Sequence, residues 1–299
     1  MSTGAEIWRR RKRLWPVRLL ASYLRCRTAG MPRGLMVEPT EKCTGTCSGC
    51  GRPDEAAVLG PEQLENWLAL CPAGPVTIHF SGRHSDPLAS PLLAELSHTA
   101  LDHCSMLSVS TIGLGFSPKL SSLPVDRWIV SLPAAAEDSW RALRGDGRFN
   151  EALNAIASIR ELTAAMVEVV LTIWRPSQDD EPHFRELCRK HGWDRTRTVF
   201  GRFDPTGHHV GRVENLAMDH PRCPYQPGKQ GIPSLRHEPE GCPLLNCLFL
   251  DAKGTLHPCP FTGEDAPALP EPSPEAWKQA AAWSVKKRKR SFRACRWCP

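Results

Sequence analysis

No run of about 18 apolar residues occurs in this chain, so the sequence offers no candidate membrane-spanning helix. The stretch Trp8 to Arg27 is basic and partly apolar. It lacks both an uninterrupted apolar core and a small-residue cleavage site, which argues against a secretory signal. A cytoplasmic location is expected. In that compartment 13 cysteines point to metal or redox use rather than to a disulfide framework. No RNA-binding signature accompanies the basic termini. Residues 1–33 carry nine Lys/Arg and one Glu, and residues 286–299 carry seven Lys/Arg and no acid. They read as solvated tail and helix-face charge. The formal net charge of +6 therefore conceals an acidic body, since residues 34–285 hold 22 Lys/Arg against 31 Asp/Glu. Such a body suits a cationic small-molecule substrate. Nucleic acid and membrane are not expected partners.

Three of the cysteines share one short loop. Cys43, Cys47 and Cys50 stand in a C-x3-C-x2-C spacing just after the apolar run Gly34 to Val37. Three thiolates on one loop hold three corners of a cubic iron–sulfur cluster. The fourth iron then has no protein ligand, and an open metal position is where a substrate or cosubstrate binds. The C-x2-C-x2-C spacing of ferredoxins gives fully ligated clusters that only carry electrons. A zinc site is the competing reading, though zinc favours paired C-x2-4-C units.

Around this loop the pattern alternates. Strands are predicted over 34–38, 76–80, 106–111, 127–131, 166–173 and 198–203. Helices are predicted over 61–70, 91–101, 148–162 and 179–191, with a further helix over 6–26 that breaks at Pro16. Repeated strand–helix alternation argues for parallel βαβ units in an α/β fold. Right-handed crossovers curl six such units into a partial TIM-type (β/α)6 barrel, with its site at the C-terminal ends of the strands.

The triad at the end of a first strand resembles the signature of the radical S-adenosylmethionine enzymes. The resemblance implies a [4Fe–4S] cluster that binds S-adenosyl-L-methionine and, once reduced, cleaves it to a 5′-deoxyadenosyl radical. A reductant such as flavodoxin or ferredoxin is then an implied partner. The family's residue before the third cysteine is usually aromatic, and here it is Gly49, so any ring over the cluster or adenine must come from elsewhere. Other strand ends carry looser family features. Gly82 and Asp86-Pro87 resemble a glycine–glycine–glutamate–proline loop, with one glycine kept and Asp in place of Glu. Ser110 and Thr111 stand where relatives read Thr-Asn-Gly. Ser131 and Arg144 match a serine and an arginine that hold the cosubstrate carboxylate, a role suited to a guanidinium fork. A strand-end cap for Ser131 and a surface ion pair for Arg144 are the plain alternatives.

Beyond residue 205 prolines, glycines and cysteines become dense. Leu248 to Cys259 reads as a β-hairpin with Gly254 supplying a positive φ in its turn. With Cys295-Arg296-Trp297-Cys298 at the end, the layout resembles the twitch subdomain of some family members. That resemblance implies an auxiliary [4Fe–4S] cluster on Cys242, Cys259, Cys295 and Cys298, with a zinc ribbon as the alternative. The expected organisation is a basic helical extension over 1–33, a barrel over 34–205 and the twitch module over 206–299. Cys247 is then spare, unless it exchanges roles with Cys242. A thiol gives a hydrogen atom readily to a carbon radical, so Cys247 is the candidate catalytic donor. The layout resembles the aminoglycoside-tailoring members of the family. It implies an epimerase that inverts C5‴ of neomycin C to give neomycin B. A dehydrogenase acting on an aminoglycoside or aminocyclitol alcohol, or a ribosomal-peptide maturase, is the alternative. Asp204, Glu238, Glu240 and Asp251 are candidates, by location only, to grip substrate ammonium groups.

Overall fold

The computed structural model describes residues 15–47, 55–83, 85–201, 213–228, 232–237, 244, 246–261 and 267–288. Helix α1 (Trp15–Ala29) leads into β1 (Gly34–Val37). Pro16 sits in the first described turn, where a missing N–H costs little, and the part of the expected 6–26 helix before Trp15 lies outside the described residues. Then follow α2 (Pro61–Ala69), β2 (Thr77–Phe80), α3 (Leu93–His103), β3 (Met106–Thr111) and β4 (Arg127–Leu132). Two helices, α4 (Glu137–Arg144) and α5 (Phe149–Leu162), precede β5 (Met166–Ile173), and α6 (Glu181–His191) precedes β6 (Thr196–Phe200). Helix α4 is absent from the expected elements. Strand β6 begins two residues earlier than expected. The chain continues through a short pair, β7 (Tyr225–Gln226) and β8 (Ser234–Leu235), a hairpin, β9 (Cys247–Leu250) and β10 (Leu256–His257), and α7 (Pro274–Arg288).

The main sheet has eight strands in the order β10-β9-β1-β2-β3-β4-β5-β6. Every neighbour from β9 to β6 is parallel, and only the β9–β10 pair is antiparallel. This is a mostly parallel α/β partial barrel with flanking helices. The hairpin belongs to that same sheet, because β9 pairs with β1 through Gly34↔Cys247 to Val37↔Leu250. Gly254 turns the hairpin with φ 84°. Asp251 holds the turn by accepting from the Lys253 and Thr255 N–H groups and pairing with His257.

Period-two alternation explains the two faces of the sheet. Leu35, Val37, Ile78, Phe80, Leu107, Val109, Trp128, Val130, Val169 and Leu171 are buried in one continuous apolar core with the helices. The alternate set is mixed: His79, Ser108, Ser110, Arg127, Ser131, Glu168 and Thr172 stand among Met36, Ile129 and Val170. The barrel interior thus carries polar and charged groups that the packed apolar layers of a closed barrel lack. Helix α7 is pinned through two tryptophans. Trp277 Nε1 donates to the Trp67 carbonyl at 2.9 Å, and Trp67 Nε1 donates to the Gly254 carbonyl at 2.9 Å. Their rings meet edge-on at 5.8 Å. No helix among the described residues is long and apolar enough to cross a membrane.

Interior His79 links this fold to pH. Its ring pairs with Ser108 Oγ at 2.7 Å through Nδ1 and with Ser110 Oγ at 3.0 Å through Nε2. Burial, followed by the charges of Arg127 and Arg197, lowers its pKa to about 4. The depressed value means the folded protein resists a proton that the unfolded chain accepts near pH 6.5. Stability from this group is whole above that pH and is lost as pH falls towards 4. A shift of this size corresponds to about 3 kcal/mol. Chemical denaturation at stepped pH is expected to show the loss between these values. His79→Gln, which has no titrating ring, should flatten that part of the profile.

Candidate active site

A cavity of 370 Å³ opens at the C-terminal ends of the strands. Cys43 and Cys47 line it from the loop after β1, Gly82 and Asp86 from the loop after β2, and Ser110 and Thr111 from the end of β3. Ser131 reaches it from β4 and Arg144 from the last turn of α4. Eight residues singled out in the sequence, from five segments, thus converge on one space. Cys50, Cys242, Cys295 and Cys298 lie outside the described residues, as do Asp204, Glu238 and Glu240. Cys259 follows β10 and is half-buried.

The cysteine loop is tied down by its neighbours. Thr44 Oγ1 donates to the Leu114 carbonyl at 3.2 Å, and Arg148 donates to the Thr44 carbonyl at 3.0 Å. Thr46 Oγ1 donates to the Arg144 carbonyl at 2.8 Å and to Asp146 Oδ2 at 2.7 Å. Trp140 Nε1 fixes the other Asp146 oxygen at 2.9 Å. Both described sulfurs accept donors: Gly45 N–H reaches Cys43 Sγ at 3.3 Å, and the Arg144 guanidinium contacts Cys47 Sγ. N–H donors on sulfur are the outer-shell partners that cluster-bearing thiolates take. The Nε of Arg144 is buried and unpartnered. The pair Cys43 and Cys47, with Arg144 beside them, therefore fits an iron–sulfur group that leaves room for an anionic ligand.

The Asp86 side chain is engaged inside the protein. Its carboxylate is buried and accepts from Leu88 N at 2.9 Å, Ile112 N at 2.7 Å and Thr111 Oγ1 at 2.8 and 2.9 Å. Burial pushes its pKa up, opposed by the Ile112 and Leu88 N–H groups, the Thr111 hydroxyl and the Arg144 charge. All these donors are internal, so Asp86 clasps the β2 loop to the end of β3. Gly82 is required by close approach: a Cβ there stands 2.2 Å from the Ser85 carbonyl oxygen.

Cys247 is not brought to the cavity. It opens β9 opposite Gly34, at the N-terminal start of β1, and a Cβ on Gly34 lies 3.2 Å from its sulfur. The cysteine loop leaves from the other end of β1. Three residues of parallel strand separate the two levels by about 10 Å. Phe249, on the same face of β9 and buried, stands between them. Cys247, the expected thiol donor, thus lies at the level of the N-terminal start of β1, because register, which the sequence spacing does not report, decides its height.

Several residues at or beside the cavity were given no role by the sequence. Glu38 is buried at the end of β1 and accepts from Arg83 N at 2.6 Å and Ser85 Oγ at 3.0 Å, which shapes the β2 loop. A carboxylate directly after an apolar strand was the available signal. Trp174, just after β5, is the aromatic side chain lining the cavity, and Gly201 packs against its ring. Arg83 and Arg197 also line the cavity. Nothing in their local sequence distinguishes them from surface arginines.

No protein-family model and no curated protein sequence matches the chain. Solved structures do. Streptococcus suis SuiB bound to the precursor peptide SuiA aligns with a TM-score of 0.59 at 11% identity, over 83% of this chain and 65% of that one. The chain therefore spans just under two thirds of that protein. SuiB bound to S-adenosylmethionine aligns at 0.59 and 13% identity, over 90% and 72% of the two chains. Native anSMEcpe with bound S-adenosylmethionine aligns at 0.61 and 12% identity, over 87% and 84%. At such identities the shared property is the fold, and this chain has the partial-barrel fold of the radical S-adenosylmethionine enzymes.

Proposed function

We propose that this protein is a radical S-adenosylmethionine enzyme that removes a hydrogen atom from a C–H bond of a small ligand in the barrel mouth. The observation that carries the reading is the convergence of Cys43, Cys47, Gly82, Ser110, Thr111, Ser131 and Arg144 on one cavity. A cluster on Cys43, Cys47 and Cys50 supplies an electron and an open coordination position for the cosubstrate. The chain's own residues do the rest. Arg144 neutralises charge beside the thiolates. Asp86 and Glu38 hold the strand-end loops in place. Trp174 offers a flat apolar face to a ring. A second cluster on Cys242, Cys259, Cys295 and Cys298, in a twitch-type module, remains part of this proposal.

Two fates of the substrate radical divide the proposal further. Epimerisation of an aminoglycoside, neomycin C to neomycin B, needs a hydrogen donor facing the adenosyl group. Cys247 opens β9 opposite Gly34 and is not among the described residues that line the cavity, which weighs against it as that donor. Oxidation of an alcohol to a carbonyl, after the hydrogen atom is taken, releases one proton and one electron, so it needs a proton acceptor and an electron acceptor, the latter a role the proposed second cluster would fill. Ser110 lines the cavity and bonds to His79 Nε2 at 3.0 Å. His79 Nδ1 in turn bonds to Ser108 Oγ at 2.7 Å. This buried ring, with its pKa lowered to about 4, is a weak base and offers a ligand hydroxyl polar contact more than proton removal. Oxidation and epimerisation give products of different mass, which separates them experimentally.

The test is anaerobic reconstitution with iron and sulfide, followed by reduction with S-adenosylmethionine in deuterated water. Formation of 5′-deoxyadenosine supports the enzyme class, and failure to take up iron refutes it. A product two mass units lighter supports oxidation, whereas one solvent deuterium retained on carbon supports epimerisation. Cys247→Ala is expected to keep full turnover. Loss of product with continued 5′-deoxyadenosine formation would restore Cys247 as the donor.

A further inference from the structure

The charged side chains that reach the cavity are almost all of one sign. Arg83, Arg144 and Arg197 line it, against a single carboxylate among the described lining residues, Asp86, whose oxygens are already taken by Leu88, Thr111 and Ile112. Below them Arg127 and Arg197 share one carboxylate, Glu168, leaving an excess positive charge on that wall. The Nε atoms of Arg83, Arg144 and Arg127 are all out of water with no hydrogen-bond partner. A buried donor without an acceptor costs about 1–3 kcal/mol, more when charged, and none of the described residues supplies one, so a bound acceptor group would complete the arrangement. Arg144 faces Cys47 and belongs to the cluster side. Arg83 does not. Its guanidinium lies 4.9 Å over the Phe249 ring, which holds it in place, and its charge has no carboxylate partner within salt-bridge distance among the described residues.

We propose that the second ligand of this cavity, the molecule acted on beside S-adenosylmethionine, is an anion whose carboxylate or phosphate group bonds to Arg83, in the positive field of Arg197 and Arg127. This inference rests on the proposed function above and narrows its substrate class. It departs from the cationic substrate that the acidic body of the chain suggests. Net charge over 252 residues says little about the sign of a cavity built from a few side chains.

The probes are inorganic phosphate, acetate and 2-deoxystreptamine, the last as the cationic arm. Each is titrated at constant ionic strength into the reconstituted, S-adenosylmethionine-saturated protein, with binding read by calorimetry. Saturable binding of phosphate or acetate is expected, weakened by about tenfold or more in Arg83→Gln and partly kept in Arg83→Lys. The anion that binds more tightly distinguishes a phosphate ester from a carboxylate. No saturable anion binding, equal binding to Arg83→Gln (an adventitious ion only), or saturable binding of 2-deoxystreptamine alone overturns the proposal. Circular dichroism of both variants shows whether they fold, and Arg83→Lys carries the test if Arg83→Gln does not. Wild-type affinity for S-adenosylmethionine is read separately. Its absence defeats the proposed function, whereas its presence with no anion binding defeats only this inference.

Discussion

Cys47→Ala and Cys43→Ala are each expected to lower 5′-deoxyadenosine formation by about a thousandfold or more, equivalent to roughly 4 kcal/mol of barrier. The reasoning is that three thiolates are the minimum that holds the cluster, so removing one leaves an iron without its ligand. The folded state should tolerate the change. Both cysteines are only half-buried, and the loop's conformation rests on Thr44, Thr46 and Arg148 instead. Iron content and 5′-deoxyadenosine yield after reconstitution, with thermal denaturation as the control, check this. Undiminished cleavage by Cys47→Ala would remove the cluster reading. A matching collapse in thermal stability would instead mark these cysteines as structural.

Asp86→Ala is expected to destabilise the protein by about 3–5 kcal/mol, since it strips the acceptor from three buried donors at once. Those donors are Leu88 N, Ile112 N and Thr111 Oγ1, and they belong to two different strand-end loops. With the clasp gone, Thr111 and the β3 end lose their position relative to Gly82, and affinity for S-adenosylmethionine should fall with stability. Asp86→Asn keeps one acceptor oxygen but turns an amide donor towards other donors, so it should fall between the two. Thr111→Val removes one donor to Asp86 and the acceptor of the Gly113 N–H, and should cost about 1–3 kcal/mol, less than Asp86→Ala. Equilibrium denaturation of the three variants gives the order. An Asp86→Ala protein that is fully stable yet unable to bind the cosubstrate would show that the carboxylate contacts the ligand after all.

The two carboxylates illustrate how much could be read in advance. Asp86 is recognisable in sequence because it precedes a proline after a strand and a glycine. Its type and place suggest a role at the strand ends, and it is there. The direction of its oxygens is set by β3, twenty-five residues away, and no local pattern reports that. Glu38 is equally buried and equally important to the β2 loop. It sits in plain view just before the cysteine triad, as the last residue of the predicted first strand, with no local pattern to mark its role.

The (β/α) order of the chain was legible because its two periods are written locally. Apolar runs at strand spacing and apolar stripes at helical spacing need no knowledge of neighbours. Likewise the Cys43-x3-Cys47-x2-Cys50 spacing states its chemistry by itself, since three thiols within eight residues must share a loop whatever the rest does. What only the tertiary structure decided is register and sign. Register placed Cys247 level with Gly34, about a strand's length below the cysteine loop, because β9 joins β1 in parallel. Sign emerged because long-range packing gathered Arg83, Arg144 and Arg197 around one cavity in an otherwise acidic body. Composition averages over the whole surface. A binding site is set by the few charges that folding brings within reach of one another.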